Sequence, residues 1–175
     1  MQKSYPVGKS GVELPCSVTV ITAKAGNQQD GMTASAMFVS QSPPLVLVSI
    51  SKTFVTYALV ERAKEFAINI LSEDQIDLAK KLGSVHGKGI DKLKEYKVPV
   101  QEATAVKAPL IEGSFGHIEC KIKASFSEIE GDHAIYVGEV VSFKMDKSLK
   151  PLIWFENKYF QVGAQCKLEN ILPLK

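Results

Sequence analysis

The sequence predicts a mainly β protein, an antiparallel barrel that is closed or partly closed and carries a few inserted helices. Ile118, Cys120, Ile122, Ala124 and Phe126 alternate with Glu119, Lys121, Lys123 and Ser125. That period of two marks a strand with one buried face. Glu130-Gly131-Asp132 supplies a turn, and His133 to Met145 runs back as a partner of matching length. Only two stretches have helical spacing. Long antiparallel strands interrupted by two helices fit a barrel better than a parallel α/β sheet.

The elements follow in chain order. Ser17 to Lys24 sets Val18, Val20 and Thr22 against Thr19, Ile21 and Ala23, all of good β-propensity. Ala25 to Gly31 reads as a turn into a second strand, Met32 to Ser40. Pro43-Pro44 punctuates, and Leu45 to Ile50 is apolar on both faces, which predicts a central, doubly covered strand. Thr53 can cap a helix that continues to about Lys64, with Val55 and Leu59 one turn apart. Phe66 to Leu71 reads as another buried strand. Ser72 followed by Gln75 is a capping box opening a second helix with the stripe Ile76, Ala79 and Leu82, closed by Gly83. Gly83 to Ala108 is polar and poorly periodic and reads as a long excursion over the surface.

The 175 residues fit a single domain spanning 1–175, with no repeat or linker to divide it. A net charge of +2 with scattered lysines argues against nucleic acid or an anionic membrane as a partner. The longest apolar run, Pro43 to Ile50, is too short to span a bilayer, and Met1 to Leu14 lacks the apolar core of a signal peptide. Cys16, Cys120 and Cys166 form no CxxC pair, as expected of thiols in a reducing compartment, so a cytoplasmic protein is expected. No two histidines stand at ligand spacing, and no metal site is expected.

Two segments carry candidate chemistry. The strand ending at Ser51-Lys52-Thr53 runs into a helix, and a helix start offers unpaired N–H groups and partial positive charge to an anion. Ser51, Thr53 and Thr56 add hydroxyls and Lys52 a full charge, which suits a monophosphate. The dipole contributes about 0.3–1 kcal/mol. An ordinary capped helix with an exposed lysine reads the same way. Upstream, Gly31-Met32-Thr33-Ala34-Ser35-Ala36 puts small and hydroxylated residues on one strand. Either a planar ring approaches its backbone or a neighbouring element packs there.

Taken in order, these segments resemble a known family. Gly31-Met32-Thr33-Ala34-Ser35, Pro43-Pro44-Leu45-Val46, the strand end at Ser51-Lys52 with Thr56, and Phe66 to Leu71 with Gln75 look like the FMN-binding split barrel of the flavin reductase-like family. Gly131-Asp132-His133, Val137-Gly138-Glu139-Val140, and Pro151-Leu152-Ile153-Trp154-Phe155 with Tyr159 extend the resemblance over nearly the whole chain. The family includes flavoredoxins, ferric reductases and the reductase components of two-component monooxygenases.

The resemblance implies a homodimeric Greek-key split barrel that binds FMN and takes a hydride from NADH or NADPH. The reduced flavin or its electrons would go to a monooxygenase or another redox acceptor. It also implies that Met32, Thr33, Ala34 and Ser35 meet the isoalloxazine ring. Ser49, Ile50, Ser51, Lys52 and Thr56 would then hold ribityl and phosphate. His133, in the Gly-Asp-His turn, would act beside the reactive face, orienting the nicotinamide or stabilising the reduced ring. A flavoredoxin-like electron carrier and a non-catalytic flavin-binding module are the alternatives. Position 54 is Phe54 where relatives often place a polar residue, and His86 stands where the family loop usually has Ser. His117 reads as structural. No GxGxxG follows a strand, so a Rossmann nicotinamide site is not expected.

Overall fold

The computed structural model describes residues 14–84 and 90–165. The long hairpin is present: β9 (Gly116–Phe126) pairs antiparallel with β10 (His133–Met145), with register shifts at Val137/Gly138 and Val140/Ser142. The N-terminal β-segment is more finely divided than the sequence suggests. β1 (Cys16–Ser17) precedes β2 (Thr19–Ala25), and a turn at Gly26-Asn27 leads into β3 (Gln28–Ala34). The expected single strand Met32 to Ser40 is broken at Ser35, and β4 (Ala36–Gln41) and β5 (Pro44–Ser51) follow. After β5 come α1 (Val55–Ala63), β6 (Glu65–Ile70), a 3-10 turn at Glu73–Gln75, and α2 (Ile76–Ser84).

The break at Ser35 makes the barrel. The seven-stranded sheet has the order β3-β2-β6-β9-β10-β5-β4, so β3 and β4, consecutive in the chain, lie at its two edges. One residue joins those edges only if the sheet coils round on itself. The Ser49 N–H donates to the Ser35 carbonyl at 3.3 Å across the seam.

Ile21, Val48, Ile50, Phe66, Ile68 and Tyr136 fill the interior together with Leu59 and Val60 of α1. A second core of Val18, Val20, Leu71, Ala79, Leu82, Leu93 and Leu152 lies between the barrel wall and its covering elements. β2 and β6 are therefore the doubly covered strands. The expectation that Leu45 to Ile50 is doubly covered is corrected: Leu45, Val46 and Leu47 are half-exposed, because β5 neighbours the edge strand β4.

The expected surface excursion, Gly83 to Ala108, is largely structural. α3 (Lys92–Glu95) buries Leu93, and β7 (Val100–Gln101) pairs with β8 (Leu110–Ile111). Buried Glu119 pins the intervening loop, accepting from the Thr104 N–H at 3.2 Å, the Thr104 hydroxyl at 2.8 Å, and the N–H groups of Ala105 and Val106 at 2.5 and 3.1 Å. Periodicity missed this segment because non-local hydrogen bonds order it. A hairpin of β11 (Leu152–Phe155) and β12 (Lys158–Gln161) joins β1 in a separate three-stranded sheet.

Helix ends also differ from expectation. Phe54, not Thr53, is the N-cap of α1, and Lys64 closes it in the left-handed conformation. Gln75 does reach back to accept from the Ser72 N–H at 3.1 Å. Gly83 lies inside α2, where a Cβ would come within 3.3 Å of Thr33 Cβ. The absent side chain lets α2 settle onto β3, and the Thr33 hydroxyl fastens the contact by donating to the Ala79 carbonyl at 2.7 Å.

Candidate functional site

A cleft runs along β3 where α2, β5, β10 and the β11–β12 hairpin converge. Its first lobe, about 560 Å³, is lined by Met32, Thr33, Ala34, Ser35 and Ser49. Across from them stand Cys16, Ser17, Lys80, Gly83, His133, Trp154 and Tyr159. A second lobe is lined by Ser51, Thr53, Phe54 and Asp132, and shares Met32, Thr33, Gly83 and His133 with the first. The shared residues make the two lobes one continuous cleft, of a size that suits a small-molecule cofactor.

The two ends differ chemically. At the second lobe, Ser51 Oγ and Thr53 Oγ1 lie 2.9 Å apart. The Thr53 N–H points to Ser51 Oγ at 3.5 Å, and the Phe54 N–H donates to the Ser51 carbonyl at 3.2 Å. This turn delivers the chain to the start of α1, whose first turn holds no acidic residue. Hydroxyls beside a helix start favour an anion. At the first lobe the wall is low: Ala34, Ser35 and Ser49 are small, and Gly83 has no side chain. β3 pairs along its length with β2 alone, so its other edge can hydrogen-bond a planar ring.

The structure brings Met32, Thr33, Ala34, Ser35, Ser49, Ser51 and His133 to this cleft and places three other expected residues elsewhere. Ile50 is fully buried in the barrel core, its side chain turned inward by strand alternation. Thr56 is also fully buried, and its hydroxyl donates to Asp30 Oδ2 at 2.6 Å. Lys52 donates from its N–H to the Asp132 carbonyl at 2.8 Å, and from Nζ to the carbonyls of Ile129 and Gly131, both at 3.1 Å. Lys52 thus clamps the turn that carries His133. His86 and the rest of the expected Gly83–Gly87 loop beyond Ser84 lie outside the described residues.

His133 is half-exposed and opposes Ser51 in the β10–β5 ladder, so backbone register fixes it between the two lobes. Its Nδ1 lies 2.8 Å from Asp132 Oδ1. A carboxylate only accepts, so Nδ1 carries the proton and Nε2 is the nitrogen not engaged by Asp132. The hydrogen bond from His133, then its charge, hold the Asp132 carboxyl below the usual range.

The sequence alone assigns no role to Trp154, Tyr159 and Lys80, which line the cleft. The signal was Glu156-Asn157 between two aromatic-bearing runs. Both residues adopt positive φ, 49° and 57°, in a two-residue hairpin turn that sets Trp154 opposite Tyr159.

Comparison with known proteins agrees with this geometry. Residues 12–163 match the model of the flavin reductase like domain family. The actinorhodin polyketide dimerase of Streptomyces coelicolor is 30% identical over 162 residues, covering 91% of this chain and 85% of that protein. The reductase component of 4-hydroxyphenylacetate 3-monooxygenase from Thermus thermophilus is 30% identical over 143 residues, covering 81% and 85%. The solved NADH:FAD oxidoreductase of Streptomyces globisporus C-1027 superposes with a TM-score of 0.82 at 27% identity, covering 94% of this chain and all of that one. Barrel, cleft and sequence match agree: the chain belongs to the flavin reductase like domain family.

Proposed function

We propose that this chain is an NAD(P)H-dependent flavin reductase that uses FMN and supplies reduced flavin, or its electrons, to a partner such as a monooxygenase. The carrying observation is the polarity of the cleft, with hydroxyls and a helix start at one end, a low strand edge at the other, and His133 between them. This arrangement fits a flavin mononucleotide. When bound, FMN supplies the hydride-accepting ring; the protein positions the donor and tunes the charge around it.

Ser51, Thr53 and the start of α1 hold the phosphate. Lys52 acts through the turn it clamps and adds long-range positive charge. Thr56 acts from behind, tying α1 to β3 through Asp30. The β3 edge at Thr33 to Ser35 holds the ring, and His133 orients the nicotinamide of the donor through Nε2. Hydride transfer depends on ring placement more than on a strong acid or base.

A homodimer accounts for the apolar side chains exposed along the edge region: Met37 and Phe38 on β4, with Val141 and Phe143 on β10. The free thiols of Cys16 and Cys120 suit a cytoplasmic setting. Among the described residues no helix is long and apolar enough to cross a membrane.

The test is NADH and NADPH oxidation by the purified protein with and without added FMN, beside a gel-filtered sample. Turnover that requires FMN supports the reductase. Retained yellow colour without NAD(P)H oxidation would replace it with an electron carrier or a binding module. Light scattering near 19.1 kDa for the FMN-loaded protein would refute the dimer.

A further inference from the structure

A separate cavity of about 400 Å³ lies at the Gln29 end of β3 and shares no lining residue with either lobe of the cleft. One wall is the β2–β3 hairpin, where Lys24 and Gln29 are paired across the ladder. The other wall is the segment from Val100 to Pro109. Three side chains fasten that irregular segment to the barrel. Glu119 accepts from the N–H groups of Thr104, Ala105 and Val106. Glu65 Oε1 accepts from the Lys107 N–H at 2.7 Å, and the Thr22 hydroxyl donates to the Pro109 carbonyl at 2.6 Å. The wall is therefore in place before a ligand arrives, which removes the cost of ordering it on binding.

The lining has two parts of unlike chemistry. Val106 and Pro109 are buried, and with the half-buried Val100 and Ala103 they give the cavity an apolar floor. Lys24 and Lys107 bring one cation from each wall, beside the side-chain amides of Gln29 and Gln101. Glu102 also lines the cavity, so two cations stand against one anion and the lining is positive in balance. Among the described residues neither lysine is held in an ion pair. A lysine stem can lie along apolar surface while its ammonium reaches over the mouth. Apolar walls with a few convergent polar groups are what a small-molecule site requires. We propose that this cavity is a second ligand site, separate from the flavin cleft, for a small aromatic carboxylate. The ring rests on Val100, Val106 and Pro109, and the carboxylate lies between Lys24 and Lys107. The site stands whether or not the cleft is that of a flavin reductase.

Benzoate is the probe, titrated into isotope-labelled protein saturated with FMN and followed by the backbone amide signals in NMR. The amides of Lys24, Gln29, Gln101, Ala103 and Val106 should shift saturably, with a Kd of about 1 mM or tighter. Those of Thr33 to Ser35, in the cleft, should not move. Benzyl alcohol keeps the ring and acetate keeps the carboxylate; each should bind about tenfold more weakly than benzoate. Raised salt should weaken benzoate, since part of the attraction is screened. Lys24→Ala and Lys107→Ala together should weaken it about tenfold. Lys24 is half-exposed and Lys107 exposed, so that double variant should fold normally. Glu102→Gln should tighten benzoate about twofold by removing the opposing charge. Shifts that do not saturate, shifts confined to the cleft amides, equal binding of benzoate and benzyl alcohol, or an affinity untouched by the lysine variant would each overturn the site. A protein that takes up no FMN would overturn the reductase reading instead. The same titration of the flavin-free protein, read at the same amides, then decides the cavity.

Discussion

Asp30→Asn should destabilise the protein by about 3–5 kcal/mol near neutral pH, the range for breaking a buried ion pair from one side. Asp30 is fully buried at the start of the Gly31-Met32-Thr33 run and binds two elements at once. It accepts from the Thr56 hydroxyl at 2.6 Å and the Lys92 backbone N–H at 3.4 Å, and its Oδ2 lies 3.6 Å from Lys92 Nζ. The Lys92 ammonium is buried without a hydrogen bond to protein, 4.4 Å from the centroid of the Phe54 ring. Asparagine has one acceptor oxygen, so it can accept from the Thr56 hydroxyl or from the Lys92 N–H but not both, and the loss combines the charge with one acceptor. Burial lowers the Lys92 pKa and the Asp30 charge opposes that shift. Removing the charge lowers it further. Between the folded and unfolded values the unfolded chain then binds more protons, so stability rises with pH. The deficit of Asp30→Asn should therefore shrink as pH rises from neutral toward the ordinary lysine range. Urea unfolding of the wild type and variant across that range measures it. Lys92→Met in the Asp30→Asn background should recover most of the loss, since the orphaned charge is gone. A deficit below about 0.5 kcal/mol, or one independent of pH, would refute the ion-pair argument.

His133→Ala should leave FMN affinity within about twofold while slowing reduction by NAD(P)H on the order of 100-fold, because the phosphate is held by Ser51, Thr53 and the start of α1 rather than by the His133 ring. Fluorescence titration and stopped-flow absorbance separate the two quantities, and an unchanged reduction rate would return His133 to a surface role. Gly138→Ala should cost about 1–3 kcal/mol or more in thermal or urea unfolding. Its new Cβ would stand 2.7 Å from Phe66 Cζ and 2.8 Å from Cys120 Cβ, inside a closed core. Burial alone would raise the Glu119 pKa, but the hydrogen bonds from Ala105, Thr104 and Val106 outweigh it and leave the carboxyl lowered. A lowered folded value means that its stabilisation is present above the unfolded pKa and lost as pH falls through the folded one. Glu119→Gln should therefore flatten the acid limb of a stability–pH curve, and an unchanged limb would refute the assignment.

The sequence by itself determined the strand character of β9 and β10, because alternation is a local signal; packing keeps it from Cys120 to Ser125 and departs from it at Glu119, which is buried by its loop partners, and at Phe126, which is exposed. It also determined the Ser72–Gln75 start of the second helical region and the ordered set of small and hydroxylated segments that gave the family. Local pattern fixes which side chains share a face, but not what that face meets. Only the tertiary structure decided that Ser35 breaks a strand and closes the barrel, since that depends on β3 and β4 lying at opposite sheet edges. Thr56 shows the same limit: a hydroxyl in the first turn of a helix suits a phosphate equally well in sequence, yet buried Asp30, 26 residues away, claims it. Lys92 sits in a segment that reads as surface because its partner is non-local, and Lys80 meets the Tyr159 ring only where α2 packs beside the last hairpin. Residues distant in the chain become neighbours through barrel closure, and the cleft exists only after that closure has put β3, α2, β10 and the last hairpin together.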